Sequence, residues 1–174
     1  MWYFAYGSNM QRATFCGRRG ITCSRAFAAR APGWRVVFDK PPLVPIGESF
    51  ANLIADPAET AYGVAYEVSP AALDSIDLSE GVMIGNYVRT TTLIIPLIGG
   101  EPLEAFTLMS DRRDAALLPS TRYMALLIEG ALENGLPPAY VEFLRAVPAR
   151  EPSAAARAFQ PLVDGALAAM RPKS

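Results

Sequence analysis

The sequence predicts an α+β fold, a mixed sheet that curls or closes on itself with helices packed around it. Three observations predict it. Short apolar or alternating runs recur through the first two-thirds of the chain, separated by glycine and proline. Capped helical stripes punctuate those runs and then replace them. Finally, 174 residues suit one domain with a sizeable core, and neither an internal repeat nor a long linker divides them. Residues 1–174 therefore read as a single domain, with 149–174 as a helical C-terminal extension.

The elements follow in order. Strands are expected near Trp2–Tyr6, Arg25–Arg30, Trp34–Phe38, Ala51–Ala55, Ala61–Val68, Tyr87–Leu97 and Leu103–Met109. In Ala61–Val68, Val64, Tyr66 and Val68 share one face, the period-2 signature. Gly99-Gly100 marks a hairpin, with Pro96 at an edge or bulge. The first strand runs into Gly7-Ser8-Asn9 and then a short helix ending at Gly17. Ser69 caps a helix that has Pro70 at its first position, Leu73 and Ile76 inward, and Gly81 as its stop. Ser120 caps a second helix, where Met124, Leu127, Ile128, Ala131 and Leu132 form the inward stripe and Asn134-Gly135 ends it. Pro137-Pro138 open a third, carrying Tyr140, Val141, Leu144 and Val147. The alanine-rich tail from Ser153 reads as helix interrupted by Pro161, with Lys173-Ser174 frayed. Pro41–Phe50 is the candidate long loop.

Composition narrows the chemistry. The chain is 51% hydrophobic and 19% charged, with net charge −1, a globular balance with no nucleic-acid surface. No apolar run approaches the ~20 residues of a membrane span, and the start lacks a signal-peptide pattern. The expected location is the cytoplasm. Cys16 and Cys23 read as free thiols. The chain has no histidine, which excludes Ser-His and Cys-His nucleophilic chemistry and His-based metal sites. No metal and no cofactor are expected, and the proton shuttle of any enzyme here falls first to a carboxylate.

Two stretches carry candidate chemistry. In “FAYGSNM”, Phe4 to Met10, a strand enters Gly-Ser-Asn ahead of a helix, whose first N–H groups have no partner within it. Gly7 offers a positive φ or close approach to a ligand. An ordinary capped turn explains the same residues. In “LDSIDLSEGVMIGNYVR”, Leu73 to Arg89, Asp77 and Glu80 are i, i+3 neighbours, and like charge would raise the pKa of one of them. A solvated acidic helix end explains these residues equally.

Taken together, “FAYGSNM” and “LDSIDLSEGV” with its following “GNYV” resemble the γ-glutamylcyclotransferase family. “PSTRYMALLIEGALENGLPPAYVEFL”, Pro119 to Leu144, resembles segments of that family's glutathione-pathway branch. The resemblance runs from residue 3 to about 148 and leaves out the tail; Met10 stands where the family often has leucine. It implies a small mixed β-barrel with surrounding helices. It implies that Tyr6, Gly7, Ser8 and Asn9 hold a γ-glutamyl head group, that Glu80 is the catalytic acid/base, and that Tyr123 and Tyr140 line the pocket. The activity implied is conversion of γ-glutamyl amino acids to 5-oxoproline and a free amino acid. A cyclotransferase for γ-glutamyl amines or a γ-glutamyl-masked intermediate, and a non-catalytic small-ligand domain, are the alternatives. Buried tyrosines bonded to backbone carbonyls are the plain alternative for Tyr123 and Tyr140. The implied partner is a small γ-glutamyl molecule, with oligomeric state open.

Overall fold

A computed structural model describes residues 1–171; the fraying expected at Lys173-Ser174 lies outside them. Five strands close a barrel in the order β1-β3-β2-β4-β5. They are β1 (Trp2–Ala5), β2 (Ala26–Lys40), β3 (Phe50–Glu67), β4 (Val88–Pro96) and β5 (Leu103–Met109). Neighbours are antiparallel except at the closure, where β1 meets β5 in parallel with Tyr3 opposite Phe106. One parallel pair among antiparallel ones makes the barrel mixed.

Four of the expected short strands are two long ones. Pro32-Gly33 and Asp56-Pro57 read as breaks, but they fall opposite each other in one β2–β3 ladder. The register shifts there: Pro32 faces Thr60 and Trp34 faces Ala55. This bulge absorbs the missing proline N–H groups and bends both strands, which a small closed barrel requires. Gly33 takes φ 81° at the bend.

The helices surround the barrel. α1 (Pro70–Glu80) has the expected Ser69 cap, whose side chain accepts from Ala72 N–H, and Gly81 stops it in the left-handed region at φ 71°. α2 (Thr121–Glu133) is capped by Ser120 and buries Met124, Leu127 and Ala131. Leu132, expected inward, lies at the edge of the stripe and is exposed. α3 is Pro138–Ala146. α4 (Ala154–Ala169) runs through Pro161 without interruption. Pro161 is exposed, so water can satisfy the carbonyl it leaves unpaired.

The segment after β1 also departs from expectation. Instead of one capped α-helix there is a 3₁₀ turn at Ser8–Met10 and a π-helix at Ala13–Arg18, neither with a side-chain cap. Tertiary bonds replace the caps. Tyr66 donates its hydroxyl to the Asn9 and Met10 carbonyls at 3.0 and 3.1 Å, and Asn134 Nδ2 donates to Met10 O at 3.0 Å. Phe15 stacks on Tyr66 with centroids 4.2 Å apart. The turn is thus held by the barrel and by the end of α2.

Gly130 of α2 presses directly on this turn. A Cβ there would lie 2.6 Å from Gln11 N and 2.8 Å from the Met10 carbonyl carbon. In an unpacked helix Gly→Ala gains about 1 kcal/mol. Here backbone must move, so we expect Gly130→Ala to lose about 1–3 kcal/mol, the usual cost of overpacking. Urea denaturation reads the sign; a stabilised variant would show that this contact is not rigid.

Candidate active site

One cavity of about 570 Å³ collects most of the residues singled out in the sequence: Tyr6, Gly7, Ser8, Asn9, Glu80 and Tyr123 all line it. The turn after β1 supplies one wall and the end of α1 another. Tyr140 does not reach this cavity. It lies at a separate one with Tyr62 and Phe143, with ring centroids 5.2 and 5.6 Å from theirs. The placement of Tyr140 in the same cleft as Tyr123 is thereby corrected: its position on α3 faces β2 and β3, and stacking holds it there. Its buried hydroxyl has no partner among the described residues.

Glu80 sits at the floor. Its Oε1 accepts from Asn9 Nδ2 at 2.8 Å and pairs with an Arg19 terminal nitrogen at 2.9 Å. Both side chains of the ion pair are nearly buried, 11% and 13% exposed. Asn9 Nδ2 also donates to the Tyr3 hydroxyl at 3.0 Å, which fixes the amide's orientation. Arg19 is steadied from its other branch, donating to Ser79 Oγ at 2.9 Å. Glu80 Oε2 has no protein partner among the described residues, so one carboxylate oxygen is fixed and the other is available to a ligand.

Asp77 does not share this environment. It pairs with Arg89 instead. The two carboxylates that sequence spacing makes neighbours each have their own arginine, which removes the expected mutual repulsion.

The cradle glycine works by space, not by dihedral. Gly7 has φ −109°, a value open to any residue, so the positive φ considered from sequence is absent. A Cβ would lie 3.2 Å from the Tyr123 hydroxyl and 3.7 Å from Ala51 Cβ. That hydroxyl accepts from Ala51 N–H at 3.1 Å and its ring meets Phe50 edge-on at 5.0 Å. Tyr6 donates to Leu108 O at 2.5 Å. Burial, first among the causes, pushes the Tyr3, Tyr6, Tyr87 and Tyr123 hydroxyls above their ordinary value. At neutral pH they are neutral donors and acceptors, not bases.

Several wall residues escaped the sequence reading. Tyr3 and Arg19 frame Glu80, and Lys40, Asn86 and Tyr87 form the adjoining wall. Arg19 stands beside Arg18 with no motif around it, but Lys40 carries a signal: it is one of two lysines in the chain and ends an apolar run. The tail was also underrated. Phe159, Val163 and Leu167 of α4 cover the cavity's apolar side. α4 is tied down by Ser153, which donates through Oγ to Ile46 O at 2.7 Å and through its N–H to Glu48 at 3.2 Å, and by the Arg18–Asp164 pair at 2.6 Å. Glu48, also missed, is a second carboxylate in the cavity wall, 5% exposed.

Cys16 and Cys23 are free and partly buried, and neither lines the cavity. Burial and then its neighbour Cys23 push the Cys16 thiol up, which disfavours the reactive thiolate. Among the described residues no group of three or more Cys, Asp or Glu is arranged to hold a metal ion, and no helix is long and apolar enough to cross a membrane.

Fold and site together define a closed barrel with a ligand cavity built around one fixed carboxylate. An AIG2-like family model matches residues 60–144. A human γ-glutamylcyclotransferase is 30% identical over 154 residues, covering 83% of this chain and 77% of that protein. The γ-glutamyl cyclotransferase aclK of Aspergillus oryzae is 29% identical over 83% of this chain, which spans 60% of its length. A solved structure titled as a γ-glutamyl cyclotransferase superposes with TM-score 0.79 at 23% identity, covering 94% of this chain and 98% of its own. The chain belongs to the γ-glutamylcyclotransferase family.

Two tests follow from the site's geometry. Gly7→Ala has no dihedral strain, so its stability should change by less than about 1 kcal/mol, while the crowding of Tyr123 lowers turnover roughly 10–100-fold. Thermal melting beside kinetics separates the two; a large melting shift with normal turnover would make the turn structural only. The second concerns Lys40, whose pKa burial, and then Arg112, push down from 10.5 to about 8 against an opposing pull from Glu80. Between about pH 8 and 10.5 the unfolded chain binds the proton that folded Lys40 has shed, so this group's destabilising effect shrinks as pH rises. Lys40→Met should therefore melt higher than wild type at pH 7, with the gap narrowing towards pH 9.5. A gap that widens with pH contradicts the sign.

Proposed function

We infer that the chain is a γ-glutamylcyclotransferase, converting γ-glutamyl amino acids or related γ-glutamyl compounds to 5-oxoproline and a free amine or amino acid. Membership of the family supports the reaction class. The observation that carries the residue assignment is the free Oε2 of Glu80, in a cavity whose facing wall is the Gly7–Asn9 turn.

The reaction is intramolecular. The α-amine of the glutamyl group attacks its own side-chain carbonyl, forming the lactam C–N bond and breaking the original amide C–N bond. At neutral pH the α-amine is mostly protonated, so a base must expose its lone pair. Glu80 Oε2 takes that proton and returns one to the leaving nitrogen; the remaining proton exchanges with water. Arg19 and Asn9 hold Oε1, so the carboxylate works without swinging. The tetrahedral intermediate bears an oxyanion, and the first N–H groups of the 3₁₀ turn, which have no partner within the turn, are suited to stabilise it. Because nucleophile and electrophile belong to one molecule, holding the substrate folded supplies much of the rate. Tyr6, Gly7, Ser8, Asn9 and Tyr123 serve as the cradle in this reading.

The apolar side of the cavity, closed by α4, falls to the released half of the substrate. Its breadth suits amino acids of the glutathione pathway and also larger leaving groups, and a cytoplasmic location belongs to the same reading. We take residues 1–174 as one functional unit, since the tail completes the cavity.

Glu80→Gln keeps shape and the Asn9 contact but removes the base. Release of 5-oxoproline should fall by about 10²–10⁴-fold in a folded protein. Asp77→Asn, paired elsewhere, and Glu48→Gln, bonded to the start of α4, should be much milder. Chromatographic measurement of 5-oxoproline from a panel of γ-glutamyl compounds, with circular dichroism as control, decides. Near-normal turnover by Glu80→Gln, or a greater loss in either other variant, reassigns the base.

A further inference from the structure

We propose that Lys40 is the anion-binding residue of this cavity and holds the α-carboxylate of the substrate's γ-glutamyl head. The assignment rests on the cyclotransferase reading above and adds the group that orients the substrate.

Lys40 closes β2, is 2% exposed and lines the cavity. Its ammonium donates to Asn86 Oδ1 and lies 4.5 Å from the centroid of Tyr87. An ammonium has three donors, and Asn86 Oδ1 is its one acceptor among the described residues. Arg112 approaches the same oxygen, with Nη1 at 3.4 Å, so two cations share one neutral amide. The nearby carboxylates are paired with arginines: Glu80 through Oε1 with Arg19 at 2.9 Å and Asp39 with Arg113 at 2.6 Å. No ion pair among the described residues includes Lys40. A buried cation with no counter-ion is costly, and an anion entering the cavity relieves that cost.

Position then selects the anion. Asn86 joins the cation to the backbone of the residue that carries the proposed base, accepting from Lys40 through Oδ1 and donating through Nδ2 to the main-chain carbonyl of Glu80 at 2.8 Å. Burial and Arg112 bring the Lys40 pKa to about 8, which leaves it charged at neutral pH. A glutamyl α-carbon bears an ammonium and a carboxylate side by side. With the ammonium at Glu80 Oε2 and the carboxylate at Lys40, the side chain is left to reach the Gly7–Asn9 turn. Arg19 is engaged by Glu80 and Ser79 and is not free for this role. The consequence is selectivity for substrates whose glutamyl α-carboxylate is free.

The test compares γ-glutamyl-alanine with its counterpart bearing a carboxamide on the glutamyl α-carbon, in wild type, Lys40→Met and Lys40→Arg. Wild type should prefer the acid by about 10²-fold or more in kcat/KM, because an amide leaves the buried cation unpaired. Lys40→Met should raise KM for the acid at least about tenfold with kcat changed only a few-fold, and should leave the amide nearly unaffected, so the preference collapses. Lys40→Arg should keep most of the preference. A folded Lys40→Met that retains the preference, or that loses equally on both substrates, overturns the assignment. Wild-type indifference to the α-carboxylate overturns it without any variant. Absence of turnover with every γ-glutamyl compound would overturn the cyclotransferase reading as well; normal turnover with the preference unchanged by Lys40→Met overturns this assignment alone.

Discussion

The Glu80 carboxylate joined to Asn9 and Arg19 is the interaction on which the cavity depends. It ties together three chain segments, with Asn9 and Glu80 71 residues apart in sequence. Asn9 comes from the turn after β1, Arg19 follows the π-helix, and Glu80 ends α1. None of these segments is long enough to fix its own side chains. The barrel supplies the rigidity: Tyr66 of β3 holds the Asn9 and Met10 carbonyls, and Gly130 lets α2 press against the same backbone. A charged pair this buried contributes little net stability after desolvation. Its value lies in geometry, since it fixes one oxygen of the carboxylate and leaves the other to chemistry.

The π-helix at Ala13–Arg18 makes sense in the same terms. An α-helix there would have presented Arg19 at a different angle from the Asn9 turn. The wider winding carries Phe15 onto Tyr66 while placing Arg19 against Ser79 and Glu80. Such windings recur at functional sites because they trade helical regularity for side-chain placement.

Much of this was legible in the sequence where local rules govern. The caps at Ser69 and Ser120, the Gly81 stop and the Gly99-Gly100 hairpin depend on residues within a turn of each other, so pattern alone locates them. The long strands were not legible, because Pro32-Gly33 and Asp56-Pro57 look like breaks until one knows that they face each other across a ladder. The site divides in the same way. The Gly-Ser-Asn turn and Glu80 stand in recognisable motifs. Arg19, Lys40 and Asn86 matter through contacts that pattern does not show: Arg19 meets Ser79 and Glu80 at the end of α1, and Lys40 meets Asn86 from the end of β2. Tyr140 is the converse case: its motif was visible, but the pitch of α3 turns it towards Tyr62.

Charge accounting links these observations. Around the cavity floor the structure neutralises Glu80 with Arg19 and Asp39 with Arg113, while Lys40 leans on one amide oxygen that it shares with Arg112, whose other branch donates to Pro42 O. Opposite charges so placed would pair with each other if pairing were their purpose. Instead Asn86 stands between Lys40 and the main chain of Glu80, keeping a cation and a half-free carboxylate apart within one cavity. A zwitterionic head group, with its ammonium and carboxylate on a single carbon, is the complement of that separation. The apolar side chains of α4 line the part of the cavity left to the rest of the molecule, and the lower local polarity they give strengthens electrostatic contacts nearby. The arrangement discriminates the head group by charge and accommodates the released half by fit, and these two tasks fall on different elements of the fold.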